Sequence, residues 1–121
     1  MAIGAKRLVV GAHYGLRDWI AQRLTAVILA AYALFFTVYL SVVRAGGPVG
    51  YDEWAGLFAP VWMKVLTFIA ILALLYHAWI GMRDVWMDYV RPTGIRLGLL
   101  LLTVLWLVYC AIYAAQTLWS V

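Results

Sequence analysis

The stretch Val65–Met82, "VLTFIAILALLYHAWIGM", runs without a single charged side chain. As a helix it would measure roughly 27 Å, close to the ~30 Å of a bilayer's hydrocarbon core. Two further runs, Leu24–Val43 and Leu97–Val121, are equally free of charge and longer still. The whole chain of 121 residues is 68% hydrophobic and 12% charged, where a soluble domain would carry roughly a quarter charged residues. The reading is an all-α membrane protein, a single membrane-anchor domain with three transmembrane helices over about residues 20–43, 64–89 and 95–119. Little chain is left outside the spans, so this small bundle is expected to pack against other membrane helices.

The charges set a topology. Lys6, Arg7, Arg17 and Arg23 precede the first span, and Arg83, Arg91 and Arg96 lie between the second and third. Arg44 and Lys64 are the basic residues on the other side. Basic residues favour the cytoplasmic face, which puts the N-terminus and the second connection there. The sequence ahead of Ile20 holds no long apolar run of the signal-peptide kind, so the N-terminus is expected to be retained. With Cys110 as its one cysteine, the chain can form neither an internal disulfide nor a cysteine-held iron–sulfur cluster of its own. The net charge of +4 sits at the span edges and reads as topology and lipid contact, not as a nucleic-acid surface.

Asp18 stands before the first apolar pattern and is expected to cap that helix. Within it, Arg23, Ala26, Ala30, Ala33, Thr37 and Ser41 recur at spacings of three or four and form one small, partly polar stripe. Such a stripe admits another helix or a flat ligand close to the backbone, while Tyr32, Phe35, Phe36 and Tyr39 are expected to point elsewhere. Gly46, Gly47 and Pro48 break the helix, and Trp54, Leu57, Phe58 and Trp62 suggest a short interfacial helix after them. Pro92 disfavours helix at Arg91, so the second span should end near Val90 and the third begin at Thr93 or Gly94.

His77, Gly81, Asp84 and Asp88 follow at spacings of four, three and four, one face of a helix leading out of the membrane. His77 lies six residues before Arg83, roughly 9 Å below the interface, where an ionisable group is costly unless it has a task. Three tasks suit it: ligating a metal or haem iron, a hydrogen bond to a neighbouring helix, or proton relay. Gly81, one turn on, would leave room for a flat macrocycle or for a packed helix. His13, on the flank, stands too far out to oppose His77 as a second ligand, so a six-coordinate iron would need another subunit. At the helix end Asp88 and Tyr89 combine a carboxylate and a phenol, chemistry that suits a quinone head at a membrane boundary. Helix anchoring is the other reading of this charged, aromatic end.

"DWIAQRLTAVIL" (Asp18–Leu29), "MKVLTFIAILALLYHAWIGMRDVWMDYVRP" (Met63–Pro92) and the final "QTLWSV" together resemble one family: the small hydrophobic membrane-anchor subunit of succinate dehydrogenase, the succinate:ubiquinone oxidoreductase of respiratory complex II. The resemblance implies a subunit of the bacterial inner membrane, non-catalytic alone, serving electron transfer from succinate to ubiquinone in the tricarboxylic acid cycle and aerobic respiration. It implies pairing with a second anchor subunit around haem b, and docking of a flavoprotein subunit with FAD and an iron–sulfur subunit. By the same resemblance His77 is one axial haem ligand, with the other from the companion anchor. Asp88 and Tyr89 fall at the ubiquinone site, and Arg23 lies near the haem propionates or the quinone. Arg83 and Asp84 depart from the family pattern and read as an added ion pair at the helix end. Two other classes compete with this reading: a cofactor-free structural or assembly membrane protein, and a small proton-translocating transporter subunit using His77 and Asp84.

Overall fold

In the computed structural model the backbone is described from Ala2 to Val121 and the side chains from Gly15 onward. His13, Lys6 and Arg7 fall outside the described side chains. Four helices follow in order: α1 (Ala2–Arg44), α2 (Tyr51–Phe58), α3 (Val61–Tyr89) and α4 (Thr93–Trp119). Among the described residues three stretches are long and apolar enough to span a membrane: Gly15–Arg44 of α1, and all of α3 and α4. The chain is a three-span helical membrane protein. In a medium with no water to satisfy the peptide groups, each span must close its own hydrogen bonds, and a helix does so.

The breaks have local causes. Gly47 turns the chain at φ 141°, a backbone conformation open to glycine and strained for other residues. At the start of α2 the Glu53 carboxylate accepts the Gly50 N–H at 2.9 Å, one half of a capping box, and Asp52 and Glu53 face the positive end of the helix. Pro60 and Pro92 stand at the N-caps of α3 and α4. Both take extended backbone there, and neither has an N–H to leave unpaired.

Helix α3 is central, packed on α1 on one side and α4 on the other. Apart from Lys64, its buried residues Met63, Thr67, Ala70, Ala73 and Ile80 lie at helical spacing, and His77 continues that stripe. Helix α1 runs antiparallel beside it, with one contact every seven residues. Asp18 pairs with Arg83, Thr25 Oγ1 lies 3.0 Å from His77 Nδ1, Tyr32 OH lies 2.8 Å from Thr67 Oγ1, and the Tyr39 ring meets Trp62 at 6.2 Å. A repeat of seven keeps one seam of a helix facing its partner. Against α4, Trp86 Nε1 donates to Thr103 Oγ1 at 3.0 Å, Phe68 meets Trp119 edge-on, and Lys64 Nζ donates to the Val121 backbone oxygen at 2.8 Å. Helix α2 folds back through Trp54 and Phe58, whose rings both lie 5.8 Å from that of Phe36.

One expectation about α1 is corrected. Asp18 is no cap, because the helix runs continuously from Ala2; its carboxylate accepts from Arg83 across the α1–α3 seam instead. The small stripe from Arg23 to Ser41 lies away from α3, and all of it except Ala26 is exposed, open to another helix or a flat ligand. The aromatic residues Tyr32, Phe35, Phe36 and Tyr39 make the internal contacts. Their large rings fill the gap between the two helices, and small side chains there would leave voids.

Candidate functional site

His77 is half-buried in the membrane-spanning part of α3. Its Nδ1 meets the hydroxyl of Thr25, which is 7% exposed and lies directly across the seam. The Thr25 oxygen also lies 2.9 Å from the Ala21 carbonyl and 3.1 Å from that of Gln22. Nε2 of His77 makes no hydrogen bond among the described residues. One ring nitrogen is therefore engaged across helices and the other is open, so the structural hydrogen bond and a ligating role are compatible in the same side chain.

One turn on, a Cβ at Gly81 would meet only the Gln22 amide nitrogen, at 3.9 Å. That is ordinary contact, so packing against α1 does not by itself require glycine here. Gln22 Oε1 is buried without a hydrogen-bond partner among the described residues. Beyond it, Asp18, Arg83, Asp84, Met87 and Asp88 line an open recess of about 480 Å³. Asp84 and Asp88 share a face, as their spacing requires. Arg83 reaches not to its sequence neighbour Asp84 but to Asp18, 65 residues away. The added ion pair of the helix end is thus an interhelical one. A helix makes this natural: adjacent residues diverge by about 100°, whereas facing residues on two helices converge.

The other residues singled out stand apart. Tyr89 ends α3 and is 80% exposed, about 100° around the helix from Asp88 and roughly 18 Å along the axis from His77. Arg23 is exposed, with its guanidinium 5.4 Å from the Trp19 ring centre. Two residues from Thr25, it points about 200° of helical turn away from the His77 contact. Among the described residues no group of three or more His, Cys, Asp or Glu gathers to hold a metal ion. The donor set fits a group that takes a single imidazole nitrogen from this chain, such as a haem iron completed elsewhere. Sequence reasoning missed Thr25, Gln22 and the Asp18–Arg83 pair. For Thr25 and Asp18 the signal was the repeat of seven on α1, at positions 18, 25, 32 and 39; Gln22 lies off it.

The family model for the succinate dehydrogenase/fumarate reductase transmembrane subunit matches residues 2–112. The chain belongs to that family. It is 43% identical over 105 residues to the succinate dehydrogenase hydrophobic membrane anchor subunit of Coxiella burnetii, covering 87% of this chain and 89% of that one. To the subunit of the same description from Rickettsia bellii it is 33% identical over 85 residues, 70% of this chain and 66% of that one. With three spanning helices and this membership, the chain is a multi-pass bacterial membrane protein in the role of a succinate dehydrogenase membrane anchor, a role that implies partner catalytic subunits.

Proposed function

We propose that this anchor supplies one axial ligand to haem b through His77 Nε2 and one wall of a ubiquinone-reduction site through Tyr89 and Asp88. The observation that carries the first part is a half-buried imidazole inside a span, with Nδ1 engaged and Nε2 open among the described residues, one helical turn before Gly81. When bound, haem b supplies a one-electron redox centre within the membrane. This chain provides a single ligand, so the opposing one comes from the companion anchor subunit. Arg23, exposed and held among the described residues by an aromatic contact, serves a haem propionate or the quinone region, where its fork suits a carboxylate.

At the end of α3 the Tyr89 hydroxyl donates to a quinone carbonyl oxygen. Asp88, one residue earlier and exposed to water, passes protons toward the same oxygen or orients the phenol. Conversion of quinone to quinol takes two electrons and two protons. The electrons arrive from succinate through FAD and iron–sulfur clusters of the docked flavoprotein and iron–sulfur subunits. The protons come from the side where the seven basic residues gather, the cytoplasmic side by their charge.

The test uses the purified complex. Tyr89→Phe should impair succinate:quinone activity and leave reduction of a soluble artificial acceptor intact; equal loss of both would assign Tyr89 to assembly instead. His77→Ala should abolish the haem b absorption signal, and an unchanged signal refutes the ligand role. The cross-helix bond to Thr25 also favours a second reading, a cofactor-free structural histidine. In that case the complex carries no haem signal for His77→Ala to remove, and the substitution lowers stability alone.

A further inference from the structure

We infer that Thr25 is a positioning residue for His77: its hydroxyl oxygen accepts the Nδ1–H and so fixes the imidazole tautomer whose Nε2 carries a free lone pair. The inference rests on the reading of His77 as an axial ligand. It follows from the bonds that the two side chains can make together.

A threonine hydroxyl has one proton to donate and lone pairs to accept with. Around Thr25 Oγ1 stand three groups: the Ala21 carbonyl at 2.9 Å, the Gln22 carbonyl at 3.1 Å and His77 Nδ1 at 3.0 Å. Both carbonyls can only accept. If the hydroxyl proton goes to either, Nδ1 must be the donor, and every N–H and O–H of the pair has a partner. In the opposite arrangement the hydroxyl donates to Nδ1, and the ring proton moves to Nε2. That N–H then has no acceptor among the described residues, in the apolar part of a span. Leaving a polar donor unpaired there is the costlier outcome. A ligating histidine that donates its second N–H to an oxygen gains both a fixed ring orientation and a more basic ligating nitrogen.

The position of Thr25 fits this task. It is almost fully buried, and it sits at the middle of the seam, flanked one repeat away by the Asp18–Arg83 and Tyr32–Thr67 contacts. Contacts on both sides fix the separation of α1 and α3 at its level. Thr25 therefore holds the ring from a backbone that is itself held.

The experiment compares Thr25→Val, which keeps shape and removes the hydroxyl, with Thr25→Ser, which keeps the hydroxyl, in the purified complex. Haem retention is challenged with excess apomyoglobin, and the haem midpoint potential is titrated optically. Thr25→Val should weaken retention roughly 10–100-fold and move the potential upward, because a less basic imidazole stabilises oxidised iron less. Thr25→Ser should restore both. Unchanged retention and potential in Thr25→Val overturn the inference, and so does a change that Thr25→Ser fails to reverse, which would assign the side chain to packing. If Thr25→Val does not assemble, Thr25→Ala removes the same hydroxyl and carries the same expectations. His77→Ala keeps the two readings separable: a haem signal that survives it refutes the ligand itself. A signal lost there, but indifferent to Thr25→Val, refutes only the positioning role.

Discussion

Breaking the Asp18–Arg83 pair should loosen the α1–α3 seam at its basic-side end by a definite amount. Two unit charges about 4 Å apart attract by about 4 kcal/mol at an effective dielectric of 20. Most of that is offset. The Arg83 and Asp18 side chains are 28% and 42% exposed, so water screens the pair, and ordering two side chains costs entropy. Exposed pairs are worth about 0.2–1 kcal/mol, whereas breaking a buried one costs about 3–5. This half-exposed pair should lie near 1 kcal/mol, about a fivefold change in an equilibrium constant. The assay is a double-mutant cycle on the thermal inactivation of the purified complex, with Asp18→Asn, Arg83→Gln and both together. Each single substitution should speed inactivation, and the double should be no worse than the worse single. Additive losses would refute the pairing and return Arg83 to Asp84 or to lipid headgroups.

Tyr32→Phe removes the hydrogen bond to Thr67 inside the span and should cost about 0.6–1.7 kcal/mol, as interhelical bonds in membranes do. Thr67→Val should cost no more, and the pair of substitutions no more than one, read as shifts in the same inactivation temperature. Trp54→Ala should release α2: truncating a fully buried aromatic costs about 3–5 kcal/mol, and Trp54 is 43% exposed, so about 2 kcal/mol is expected. Labelling of a cysteine introduced as Ala55→Cys should accelerate in that background but not in Trp54→Phe, which keeps the ring against Phe36 and Phe58.

The spans were legible because a membrane leaves the backbone almost no choice: an uncharged run long enough to cross the hydrocarbon core becomes a helix whatever its neighbours do. Pro92 was equally local, and α3 ends at Tyr89 with α4 starting at Thr93. Asp18 was misread for a corresponding reason. A capping signature is local, but the helix already runs past this residue, and the partner that claims the carboxylate lies 65 residues away. On α1, spacing identified the small stripe but does not say which stripe meets the protein's own helices. Aromatic residues won that side by the volume they fill. At the site, the line from His77 to Asp88 followed from the helical repeat. Thr25 carried only the repeat of seven as a signal, since a threonine in a membrane helix ordinarily satisfies itself on the carbonyl four residues back, and here it does that and reaches His77 as well.

The same geometry bounds what this chain does alone. His77 and Asp88 stand on one face of α3, roughly 16 Å apart along its axis, and α1 grips that helix at the level of His77 and again at Arg83. Among the described residues nothing comparable holds Tyr89, 80% exposed at the helix end. A phenol in that setting gives a quinone oxygen one hydrogen bond, but it cannot exclude water or fix the ring, and both are needed before a donor placed in a site outcompetes the solvent. If Tyr89 holds a quinone, its remaining walls belong to the partner subunits, and the residue should acquire its protection only on assembly. Protection of Tyr89 from a water-soluble phenol-modifying reagent in the whole complex, but not in the isolated anchor, is the corresponding expectation. Equal modification in both would place the quinone elsewhere and leave Tyr89 as an interfacial anchor of α3.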